Sequence, residues 1–287
     1  MTGIDRQSRI QTAEMFQTRA PKSNFQVAIS ILELIYHATV RSVRKTHGNA
    51  IIGLLMSMMQ TMILIAVFFV MFSVLGLRGN AIRGDFLLYI MSGIFLFLTH
   101  NKAVSAVLGS EGPASAMMNH APMNTTIAIA SSALASLYIQ VLSLLVILFA
   151  YDVAIRPIEI QHPVGAFGML LLSWFSGVAI GMVFLAIKPW FPTFVGIASQ
   201  IYTRANMIAS GKMFVANSLP GYMLAMFDWN PLFHCIDQAR GFTFINYNPH
   251  YSSTVYPFFL SVTLIMIGMM GEFYTRRQAS VSWAAGR

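Results

Sequence analysis

His234 and Asp237 stand one helical turn apart, and Asp152, Glu159 and His162 share one stretch between two apolar segments. Imidazoles and carboxylates so placed could move a proton onto or off a glycan or lipid, so a polytopic membrane enzyme is one reading of the chain. Solvated or helix-capping roles are the other. The histidines, at 37, 47, 100, 120, 162, 234 and 250, form no H-E-x-x-H or other paired metal-ligand spacing, so no metal site is expected. Gly211-Lys212 is followed by Met213 and preceded five residues earlier by Asn206, so it fails as a phosphate-binding loop at both ends. If ATP drives this protein, another chain hydrolyses it.

Arg204, Lys212 and Arg240 fall in or beside apolar segments of the C-terminal half. From Phe194 to Arg204 a helix climbs roughly 15 Å, half of a bilayer core. An arginine at that depth faces an aqueous path or is paired inside a bundle. Aromatic residues crowd the following stretch, from Tyr222 and Trp229 to Tyr256. They suit an interfacial belt. They also suit stacking on sugar faces while Arg240 and Lys212 meet acidic groups of a polymer.

The elements that must position these residues are membrane helices. Of 287 residues, 56% are hydrophobic and 10% charged, against about 25% charged in a soluble domain. Apolar runs near 20 residues, the length a bilayer requires, predict spans at about 51–75, 86–109, 126–150, 167–187 and 254–273, the second carrying Lys102 and the last Glu272 near its end. A fifth span in chain order, about 194–214, must hold Arg204 and Lys212, which makes six. Residues 25–43 instead alternate at helical spacing, with Phe25, Ile29, Leu32 and Tyr36 on one side and Gln26, Glu33, His37 and Arg41 on the other. That pattern is an amphipathic helix lying at the headgroup boundary. Met1 to Lys22 has charges and no continuous apolar core, so a disordered cytosolic tail over 1–24 is expected rather than a signal peptide.

The net charge of +8 comes from dispersed basic residues rather than a basic domain, so nucleic acid is not an expected partner. The segments before the first span and after the last hold ten lysines and arginines against five in the opposite loops, which predicts both termini inside the cell. One inner loop, 110–125, contains Glu111 and neither lysine nor arginine; Pro113 and Pro122 bracket a short helix over 114–120. A cytosolic helix without basic residues suits docking on protein. The methionines lie mostly within spans, where packing explains them. The single Cys235 excludes an internal disulfide.

The order of these parts resembles the polysaccharide export permeases of the ATP-binding-cassette superfamily, over roughly residues 25–277. The likeness rests on Arg41-x-x-Arg44-Lys45-x-x-Gly48 before Gly53-Leu54-Leu55, the 114–122 loop, Lys188-Pro189-Trp190-Phe191-Pro192, Ser210-Gly211, Leu219-Pro220, Asn230-Pro231-Leu232, Arg240 and Tyr274-Thr275-Arg276-Arg277. His47, Met56, Gln60 and Thr61 depart from that family's pattern. The resemblance implies an all-α integral membrane protein of a bacterial inner membrane. Its parts would be an amphipathic interfacial helix (25–48), a six-span permease domain (49–277) with short re-entrant helices before the last span, and a cytosolic tail (278–287).

It further implies a homodimer around a central channel, two nucleotide-binding ATPase subunits carrying ATP and Mg, no cofactor on this chain, contact with membrane lipids and periplasmic export proteins, and a lipid-linked capsular or extracellular polysaccharide as cargo. Arg204, Lys212, Tyr222, Trp229, Asn230, Pro231, His234 and Arg240 would form the translocation path and outer gate. Arg41, Arg44, Lys45, Glu111, Pro113, Met117, His120 and Pro122 would couple to the ATPase. An exporter of lipids or small amphiphiles with the same fold is the remaining alternative.

Overall fold

The computed structural model of the chain describes residues 24–45, 50–76, 82, 84–110 and 125–278. Regular structure among them is entirely helical: α1 (Asn24–Lys45), α2 (Ala50–Val74), α3 (Phe86–Leu108), α4 (Thr125–Ala154), α5 (Pro163–Ile187), α6 (Pro192–Ala209), α7 (Gly221–Phe227), α8 (Pro231–Thr243) and α9 (Val255–Gln278). A 3-10 turn at Ala216–Ser218 precedes α7. Five helices, α2 to α5 and α9, are long and apolar enough to cross a membrane. Even α3, the shortest at 23 residues, would be about 35 Å long against a hydrocarbon core of about 30 Å.

The centre is the α3–α5 pair, with α9 on the other side of α5, α8 tucked against both, α2 and α4 flanking α3, and α1 lying along α4. Polarity is distributed inside out. The most apolar window of α3 is 83% buried, yet it is less apolar than that of α2, which is 17% buried. Lipid accepts only apolar side chains, whereas Thr99, His100 and Asn101 of α3 need an interior. Cross-links follow the same logic: Gln140 of α4 donates to Ser57 of α2 at 3.0 Å, and Trp174 of α5 donates to the Ala133 carbonyl of α4 at 3.0 Å.

Close packing of α3 on α5 depends on small residues. A Cβ on Gly177 would stand 2.4 Å from the His100 carbonyl oxygen, and one on Gly181 would stand 2.9 Å from the Val107 Cβ. This is the small-xxx-small contact by which membrane helices approach without a hydrophobic driving force.

Several expected boundaries shift. α4 runs on to Ala154, with the Tyr151 hydroxyl donating to Asp85, the residue that also caps α3 through Leu87 N at 2.9 Å. α5 starts earlier than expected, at Pro163, whose fixed φ suits a first helical turn. The expected 194–214 span is corrected: α6 stops at Ala209, and Gly211 then takes φ +75, a left-handed turn that ends the helix. Gln200, Thr203, Arg204 and Asn206 keep α6 below the hydropathy of the five helices that are apolar enough to cross a membrane. α1 forms as expected. Val43 is buried, while Phe25, Leu32 and Tyr36 remain exposed. The expected 114–120 helix, and the tails up to residue 23 and from residue 279, fall outside the described residues.

Candidate functional site

The Asn230-Pro231-Leu232 motif is a junction. Asn230 Oδ1 accepts from Leu232 N at 3.1 Å and so caps α8, with Pro231 in its first turn. Its Nδ2 donates backwards to Asn206 Oδ1 at 2.9 Å and to the Ala209 carbonyl at 3.0 Å. One amide therefore joins the start of α8 to the end of α6.

Arg240 and Lys212, read from the sequence as contacts for an acidic polymer, are both turned inward. The Arg240 guanidinium is 1% exposed, lies 4.2 Å over the Tyr89 ring, and donates to the carbonyls of Gly211 (2.8 Å), Phe214 (2.6 Å) and Lys212 (2.7 Å). The chain after α6 is wrapped around it. Lys212 sends its ammonium 3.6 Å over the Phe97 ring and to the Met207 carbonyl at 2.7 Å, where it meets the negative end of the α6 dipole.

The acid/base residues are equally committed. His234 Nδ1 accepts from Ser253 N at 3.1 Å, so the ring proton sits on Nε2, which donates to the Asp228 carbonyl at 2.6 Å. Asp237 accepts from the Tyr247 hydroxyl and from Ser252 Oγ at 2.7 Å. Burial and the Asp237 carboxylate push the Tyr247 phenol well above its ordinary value, so it keeps the proton that it donates to Asp237. Asp152 takes Ile158 N at 2.7 Å, and the exposed Glu159 and His162 join neither group. These contacts tie α8 to the 244–253 loop rather than poise a proton transfer. Among the described residues no three His, Cys, Asp or Glu side chains gather as a metal site.

Sequence reasoning missed a polar chain through the bundle. His100 Nδ1 faces the Ser173 carbonyl at 3.1 Å and Ser176 Oγ at 3.0 Å, so it carries the proton, and Nε2 accepts from the Tyr202 hydroxyl at 2.8 Å. Tyr202 and Asn206, four apart on α6, thus bind α3 and α8 respectively. Their spacing was the available signal.

Beside this chain a cleft of about 410 Å³ opens between the end of α3 and α6, lined by Ser105, Gly109, Lys188, Gln200, Thr203 and Arg204 among others. Among the described residues no carboxylate lines it. Lys188 spends one donor on the Leu108 carbonyl at 3.0 Å, and Arg204 is exposed. Two cations, an amide and hydroxyls suit a phosphate or carboxylate. Tyr222 (74% exposed) and Trp229 (59%) stand at the α7–α8 end of the molecule, with Trp229 donating to the Met226 carbonyl at 2.7 Å. Arg41 is exposed on α1; Arg44 and Lys45 close that helix, their side chains outside the described set, as are Glu111, Pro113, Met117, His120 and Pro122 entirely. The sequence matches no protein-family model and no curated protein.

Proposed function

We propose that this chain is the permease subunit of an ATP-driven exporter that carries an anionic, lipid-linked polysaccharide of capsular or extracellular type across a bacterial inner membrane. The observation that carries the reading is the cationic cleft between α3 and α6, with Lys188 and Arg204 and, among the described residues, no acid. It offers a negatively charged headgroup a place beside spanning helices, where an unpaired cation otherwise costs free energy. In this reading α6 is the sixth span, α7 and α8 are short re-entrant helices, and both termini are cytoplasmic. Two copies enclose the path. Separate ATPase subunits dock on α1 and on the 111–122 segment, in keeping with the failed phosphate-binding loop at Gly211-Lys212.

The first test is co-purification of the tagged chain in mild detergent with measurement of ATP turnover. A stoichiometric nucleotide-binding subunit with ATPase activity is the expected outcome. Glycan or lipid product formed by the chain without such a partner would instead indicate a membrane transferase. The second test is Arg204→Ala. Export is expected to fall at least tenfold while the complex still assembles, and undiminished export would remove the cleft from the path.

A further inference from the structure

Asn101 lies on α3, one turn towards the middle of the helix from Ser105, and it is 7% exposed. Among the described residues neither its Nδ2 nor its Oδ1 has a hydrogen-bond partner. Buried amides are normally satisfied at both atoms, because each orphan forfeits the hydrogen bonds it made in water. The neighbouring His100 shows the usual state, with both ring nitrogens engaged by Ser173, Ser176 and Tyr202. Asn101 is the exception beside it.

The direction of Asn101 says what it serves. On α3 the cationic cleft is lined by Val104, Ser105, Leu108 and Gly109. At about 100° per residue these stand at about −60°, +40°, −20° and +80° around the helix from Asn101, so their mean direction lies about 10° from its own. Asn101 therefore continues that wall of the cleft inward, about 6 Å along the axis from Ser105. On the opposite wall the Tyr202 hydroxyl meets His100, so Thr203 and Arg204, next along α6 and part of the cleft, reach the depth of Asn101.

We infer that Asn101 is the specificity-determining residue of this cleft, taking two neighbouring hydroxyls carried beside the anionic group, one donating to Oδ1 and the other accepting from Nδ2. The inference rests on the cleft holding the anionic headgroup of the cargo. It adds that the headgroup is joined directly to a sugar rather than to an alkyl chain alone. Because the amide has no partner in the free protein, both bonds are made only with the ligand, and each is worth about fivefold in affinity. The unpartnered amide is kept at the expense of stability, as residues held for function often are.

The test uses the full chain purified in mild detergent and a matched pair of phosphate monoesters, glucose 1-phosphate and cyclohexyl phosphate, which differ in the ring hydroxyls. Titration calorimetry on wild type is expected to show glucose 1-phosphate bound at least about fivefold more tightly. Asn101→Leu, which keeps the side-chain volume, should bring the two esters to equal affinity and should melt no lower than wild type. Arg204→Ala should weaken both esters alike. Equal affinities in wild type, a preference that survives in Asn101→Leu, or a lower melting temperature of that variant would overturn the inference while leaving the cleft as an anion site. Binding of neither ester, or binding that Arg204→Ala leaves unchanged, would instead overturn the reading of the cleft and the inference with it.

Discussion

Arg240 shows how a residue type can suggest one role while its surroundings assign another. Three carbonyls and the Tyr89 face absorb its guanidinium, and truncation leaves those carbonyls buried without donors. Each such orphan costs about 1–3 kcal/mol. Arg240→Ala is therefore expected to lower the melting temperature of the purified protein by several degrees, with Arg240→Lys intermediate because a point charge cannot reach three acceptors. Lost transport at an unchanged melting temperature would restore the path role. Cys235 offers a second check at this scale. It is fully buried, and burial pushes its thiol above the ordinary range, so neither access nor thiolate is present in the native state. Maleimide should label it only on unfolding, and rapid labelling of native protein would contradict the packing of α8.

At the scale of elements, α5 and α6 are opposites. α5 is wedged between α3 and α9 with glycines at the contact, and α6 is held by two polar latches, Tyr202 to His100 and Asn230 to Asn206. Gly177→Leu must push α3 away, since even a Cβ would lie 2.4 Å from the His100 oxygen; overpacking of this kind costs about 1–3 kcal/mol. Gly168→Ala on the same helix meets nothing within 4 Å and should be neutral or mildly stabilising. Equal melting temperatures for the two variants would refute the close approach. For α6, each hydrogen bond contributes about 1 kcal/mol. The Tyr202→Phe/Asn206→Ala pair should speed hydrogen exchange across 192–209 and leave α3 and α5 protected. Uniform loosening would mean that the latches serve the whole bundle.

At the scale of the whole molecule, the open number is the parity of crossings. Five helices have the composition to span, and α6, at 18 residues, would reach about 27 Å if it spanned as well. In a Cys235→Ala background, Glu33→Cys on α1 and Gln278→Cys at the end of α9 should label from the same, cytoplasmic side if α6 crosses. Labelling from opposite sides would leave five crossings and remove the six-span reading. The five apolar helices were legible in the sequence because each is a local property, an apolar run long enough for a bilayer. The α1 amphipathic pattern was legible for the same reason. The end of α6, the inward turn of Lys212 and Arg240, and the commitment of His234 and Asp237 to a loop were not. The inward turn of Lys212 and Arg240 depends on partners far away in the chain, the Phe97 and Tyr89 rings, and the commitment of His234 and Asp237 depends on how the loop after α8 folds back on it. The cleft at α3–α6 likewise exists only once helices distant in sequence pack together. Sequence alone determined which segments prefer lipid, because transfer to a bilayer is summed residue by residue. Only the tertiary structure decided which polar groups hold the bundle together and which remain open to a ligand, because a hydrogen bond belongs to a pair and burial belongs to the assembly.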